Sequence, residues 1–182
     1  MNSPMQTPDS PTKAAPENAP ARNATHRHYE ERISKLYAAT NDIRSNLSYI
    51  CDELPGLTTA AETHDAILHV CGDFACEIMH IQMEVRKLED NLGLRTGEDP
   101  FHHGMDSDNP IETIGYIHDW LGPQLIAMHN LVNRLNEKAA GDADAALLSL
   151  LLTESATNIL HAAIAVREAL DDIHGTLGAD NH

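Results

Sequence analysis

Apolar residues in this chain recur in alternating steps of three and four, and they do so in four separate stretches. Seven residues nearly complete two turns of an α-helix. A stripe with that repeat stays against a neighbour only if the helices supercoil left-handedly, with side chains packed knobs-into-holes. The first stretch, about residues 26–54, places Tyr29, Ile33, Leu36, Thr40, Ile43, Leu47, Ile50 and Leu54 on its stripe. The second, about 59–92, places Ile67, Cys71, Phe74, Ile78, Ile81, Val85, Leu88 and Leu92. The third, about 110–139, places Ile111, Ile114, His118, Leu121, Leu125, Met128, Val132 and Leu135. The fourth, about 142–177, places Ala145, Leu148, Leu152, Ser155, Ile159, Ala162, Val166, Ala169 and Ile173. No segment shows the two-residue alternation of a strand.

The punctuation agrees with the stripes. Pro55 and Gly56 break the first helix, and Thr59 with Glu62 can form a capping box that opens the second. Gly93 closes the second helix. Asn109, Pro110 and Glu112 supply a cap, a first-turn proline and an acidic first turn for the third. Gly141 ends the third helix, Asp142 caps the fourth, and Gly178 ends it. The links after the first and third helices are short, which makes those neighbours antiparallel. The predicted fold is all-α, an up-down-up-down four-helix bundle made of two antiparallel helical hairpins, over residues 26–178. Residues 1–25, rich in Pro, Ser, Thr, Asn and Ala, offer nothing to bury and are expected to be a disordered tail. Residues 179–182 form a short C-terminal tail.

The two hairpins echo one another. Residues 158–174 align without a gap on residues 77–93, eighty-one positions earlier (158 against 77), with Ile, His, Val, Arg and Asp in common. At the same offset Ile33 matches Ile114, Leu36 matches Ile117 and Leu47 matches Met128.

Formal charge is −16. The tail adds nothing to it, because Lys13 and Arg22 cancel Asp9 and Glu17, so the whole excess lies on the bundle. Phosphate contacts need Lys and Arg, which argues against direct nucleic-acid or anionic-membrane binding. With two Phe, four Tyr and one Trp, base stacking is equally unsupported. No continuous apolar run approaches the ~18 residues of a membrane span, and the N-terminus lacks the pattern of a secretory signal. Cys51, Cys71 and Cys76 form no disulfide framework. A cytoplasmic protein with reduced thiols is expected, export through a tail-borne signal being the alternative.

Chemistry has few places to sit. His69, Asp73, Cys76, His80 and Glu84 fall near one line of the second helix, with Glu77 beside them. Glu77 and His80 have the Glu-x-x-His spacing by which dimetal bundles project two ligands inward. The fourth helix offers Glu154 and His161 at the echoed places. This set, His69, Asp73, Glu77, His80, Glu84, Glu154 and His161, defines an alternative in which the bundle holds a divalent transition metal. A second Glu-x-x-His and core glutamates on the other two helices are missing, so no cofactor is the primary expectation. His118 lies on the third stripe, one turn before Gly122 and Pro123, where a kink could leave a buried, pH-sensitive imidazole. Phe101, His102 and His103 lie in the long link. No nucleophile motif or phosphate-binding glycine loop is present, and no catalytic residue is assigned.

Apolar residues remain after the four stripes are filled. Cys76, Met79, Met83, Ile117, Trp120, Leu150, Leu160 and Ile164 lie off the strict seams, where they either widen the core or form a second contact face. The expected function is therefore a non-enzymatic interaction or regulatory protein, binding a protein partner or itself as a homodimer. The metal-binding bundle is one alternative, and an acidic inhibitor mimicking nucleic acid is another.

Overall fold

A computed structural model describes residues 19–56, 61–94, 109–138 and 143–180. They form helix α1 at Ala19–Glu53 with a 3-10 turn at Leu54–Gly56, α2 at Ala61–Asn91, α3 at Pro110–Lys138 and α4 at Ala143–Asp180. Each helix packs on two others. α1 lies against α2 and α4, and α3 against α2 and α4, so α1/α3 and α2/α4 are the diagonals.

Side-chain bridges fix the directions. Tyr37 donates its hydroxyl to Glu89 at 3.0 Å, and Gln82 donates to Asn41 at 3.0 Å, so early α1 meets late α2. Arg32 meets Asp172 at 3.0 Å and Asn158 donates to Asn46 at 3.3 Å, making α1 and α4 antiparallel. Ser149 bonds Asn136, and His118 approaches Asp171 at 3.8 Å, which makes α3 and α4 antiparallel. The up-down-up-down bundle expected from the sequence is the structure.

The helix ends explain the turns. Gly93 has φ of 69°, the left-handed region that a glycine enters without strain. From there its N–H reaches Asp90 O and the Leu94 N–H reaches Glu89 O, the paired bonds of a Schellman cap. Asn109 caps α3, its side-chain oxygen accepting from the Ile111 N–H at 3.0 Å, and Pro110 fills the first helical position, where a missing N–H costs nothing. α3 continues through Pro123.

Two boundaries differ from expectation. α1 starts at Ala19, inside the stretch assigned to the tail. Pro20 sits in its first turn, and the Ala and Arg residues that follow are good helix formers. α4 passes Gly175 and Gly178 and ends at Asp180, because a glycine costs a long helix only about 1 kcal/mol. The expected caps at Thr59, Gly141 and Asp142, the long link with its histidines, and residues 1–18 lie outside the described residues.

The stripes of α1, α2 and α4 are the core. Every member whose side chain is described is buried except Leu92, which is half-buried. In α3 the seam is rotated from the expected one. Ile114, Ile117, Leu121, Met128, Leu131 and Leu135 are buried, with Gln124 half-buried among them. His118, Leu125 and Val132 sit half-exposed beside that line, and Ile111 is exposed. The corrected seam is the α1 seam shifted by the same eighty-one positions (114 against 33) at every step, as the α4 seam is that of α2. Both hairpins are built on one pattern.

α4 includes a stretch, Ala146–Ala179, containing a window of mean hydropathy 1.3, long and apolar enough by length and composition to cross a membrane. Leu147, Leu148, Leu150, Leu151, Leu152 and Leu160, with Ile159 and Ile164, give it that value without any long unbroken apolar block. Here Leu148, Leu152, Ile159, Val166, Leu170 and Ile173 face the bundle core.

Candidate functional site

The rotated α3 seam decides which off-seam residues are available for contact. Ile117 is fully buried, so it belongs to the core and leaves the set of interface candidates. Trp120 is half-buried. Cys76, Met79, Met83, Leu150, Leu160 and Ile164 are exposed, the two methionines at 58% and 52%. Leu147, another off-seam residue, joins them, as do Leu68, Tyr49, Tyr116 and Ile126, large exposed apolar side chains that the stripes alone did not single out. Their signal in the sequence is the same off-seam placement that marks Met79.

The exposed set is distributed by the eighty-one-residue repeat. Met79 and Met83 border a groove between α1 and α2, with Tyr37, Asn41, Arg44, Gln82 and Arg86. Leu160 and Ile164, at the matching places of α4, border a groove between α3 and α4 with His118, Gly122, Leu125, Ala163 and Arg167. Position for position, Asn41 is replaced by Gly122, Arg44 by Leu125 and Gln82 by Ala163. The α1/α2 groove therefore carries three polar side chains where the α3/α4 groove has Gly122, Leu125 and Ala163, although His118, Arg167 and Asp171 line the latter as well. Since α2 and α4 are diagonal, the two exposed pairs point to opposite sides of the bundle.

A third apolar element crosses from α2 to α3. The His80 and Trp120 rings lie 5.6 Å apart, and Tyr116 stacks on Trp120 at 6.3 Å. His80 Nδ1 lies 3.3 Å from Glu77 Oε2. Aromatic rings in a half-exposed row offer large contact area at little conformational cost.

The residues of the metal alternative are not brought to one point. His69 pairs with Asp73 at 3.4 Å and His80 with Glu77 at 3.3 Å, two separate bridges along α2. Glu84 is 6% exposed and bonds Lys87, rather than lying on a solvated flank. It is one turn after His80 on the side of α2 that faces α3, and that packing covers it. Glu154 and His161 are exposed on the diagonal helix, and His161 lines an alanine-floored groove between α1 and α4. Among the described residues no three His, Cys, Asp or Glu side chains converge on a common point.

His118 is half-exposed in the α3/α4 groove, 3.8 Å from Asp171, because the buried seam position belongs to Ile117. The thiols divide by environment. Burial pushes the Cys71 thiol up to about 12, with the neighbouring Cys51 thiol adding to the shift. Burial also raises Cys51, while Cys76 is exposed on the outer face of α2.

Comparison of the chain with protein-family models, curated proteins and solved structures finds no match.

Proposed function

We propose that this chain is a non-enzymatic interaction protein, a helical bundle that associates with itself or with a protein partner through outward apolar helical faces. One observation carries the reading. The core is complete without Met79, Met83, Leu160 and Ile164, yet these stand exposed at matching places on α2 and α4. Water contact with such side chains costs about 25 cal/mol for each Å² of apolar surface, and covering them on association recovers it. Methionine suits a face that adapts to its partner. The excess of acid on the bundle favours solubility of the free chain and disfavours polyanionic partners. A reducing, cytoplasmic setting and a metal-free resting state belong to the same proposal.

Light scattering of the purified protein, paired with elemental analysis of the same fraction, tests it. An assembly larger than one chain with no stoichiometric metal is the expected result. A monomer carrying one or two transition-metal ions per chain would instead favour the alternative built on the His69–Asp73 and Glu77–His80 pairs.

A further inference from the structure

The outer stripe of α2 reads the same from both ends. Asp65, Leu68, Gly72 and Ala75 step along the helix at intervals of three, four and three; Arg86, Met83, Met79 and Cys76 step back at the same intervals. About the point between Ala75 and Cys76, Asp65 is therefore matched with Arg86, Leu68 with Met83 and Gly72 with Met79. All of these are exposed except Ala75, which is half-buried. Resting on the reading above, that the chain associates through an outer apolar face, we infer that the occupant of this face is a second copy of the chain. It is seated antiparallel on α2, with a twofold axis passing between Ala75 and Cys76.

Each half of the stripe has the three-four-three spacing of a coiled-coil seam, and the halves meet at the single step from Ala75 to Cys76, where the stripe broadens at the axis. A twofold axis makes each contact occur twice. Gly72 is the dent in the stripe: a Cβ built there meets nothing within 4 Å. The antiparallel copy puts the flexible thioether of Met79 over that dent, and Met83 over Leu68. Charge selects the direction. Antiparallel seating sets the Asp65 carboxylate against the Arg86 guanidinium at both ends, while parallel seating would set Asp65 on Asp65, Arg86 on Arg86 and Gly72 on Gly72.

The same stripe on α4 is not self-complementary. Its equivalents of Asp65, Gly72 and Cys76 are Ala146, Thr153 and Thr157, so across such an axis Arg167, which pairs with Asp171 on its own helix at 3.7 Å, would meet no acid, and the dent is filled. Ser149, in the place of Leu68, is buried and bonds Asn136. The self-contact belongs to α2.

A short bis-maleimide added to the full chain tests the axis, because it places the two exposed Cys76 thiols side by side. A covalent dimer is expected on a denaturing gel, and Cys76→Ser removes it. Sedimentation equilibrium tests the direction. Asp65→Arg and Arg86→Asp should each raise the dimer Kd roughly tenfold or more, and the double exchange should restore it to near the wild-type value. A dimer that gives no Cys76 cross-link and ignores both single charges meets through another face; that overturns the inference and leaves the interaction reading standing. A chain that stays monomeric at every concentration and gives no cross-link overturns the inference, and a failure to bind any protein partner as well would remove the broader reading.

Discussion

Lys87 and Glu84, one turn apart on α2, form an ion pair in which both side chains are largely covered, at 19% and 8% exposure. A carboxylate in that position is held by its partner. Removing the ammonium strands a desolvated charge, whereas removing both charges leaves only packing. Lys87→Met should lower stability by about 1–3 kcal/mol. Adding Glu84→Gln in the same chain should recover most of the loss. Thermal melts of the two variants check this; equal losses would mean that Glu84 is hydrated and its burial is not maintained in solution.

The α3 seam gives a sharper contrast. Ile117→Ala empties a fully buried site and should cost about 2–5 kcal/mol, while Ile126→Ala, on a side chain 63% exposed, should stay within about 0.5 kcal/mol. On α2, Ile78→Asp buries a carboxylate and should unfold the bundle or nearly so, and Glu77→Ala should cost about 0.5 kcal/mol. Urea titrations of the four variants read these differences. A large loss from Glu77→Ala, or a metal released by it, would transfer weight to the metal reading.

The thiols should be ranked by environment. Cys76 should react first with a maleimide, Cys51 more slowly, and Cys71 only on unfolding, as followed by mass spectrometry of digested protein. Cys71 also ties stability to alkaline pH. Its folded-state pKa is raised to about 12 from an ordinary value of 9.0, so the neutral thiol favours the fold. That contribution is fully present below pH 9 and is lost as pH rises from there to about 12, at up to ~1.4 kcal/mol per unit. The pH slope of stability above 9 should therefore be shallower in Cys71→Ala, and an unchanged slope would contradict the burial argument.

Three of the four seams were legible in the sequence because their apolar residues occupy every seam position or give way only to small ones such as Thr40 and Ser155. α3 was not. Ile114, Leu121, Met128 and Leu135 fit two adjacent stripes equally, and the intervening places are Ile117, Gln124 and Leu131 on one, His118, Leu125 and Val132 on the other. Gln124 makes the first look interrupted, yet the bundle uses it. The repeat resolves the ambiguity, since Leu36, Ile43 and Ile50 of α1 fall on Ile117, Gln124 and Leu131. The contact face was only half legible for a related reason. An apolar residue beside a seam either widens the core or points away from it, and only the neighbouring helix decides. Ile117 and Met79 were alike in sequence and ended on opposite sides of that choice. The first turns of α1 carry no apolar stripe and so read as tail, although Pro20 in a first turn initiates a helix.

The central claim is that the outward apolar side chains of this bundle are there for association. Sedimentation velocity over a wide concentration range, on the wild-type chain and on Met79→Glu and Met83→Glu, tests it most directly, with circular dichroism on the same samples. The account predicts that the wild type shifts from monomer to dimer as concentration rises, while both variants remain monomeric with undiminished helix. A wild type that sediments as a monomer throughout and binds no protein partner would contradict it, and so would variants that lose helix, because Met79 and Met83 would then belong to the bundle's own core.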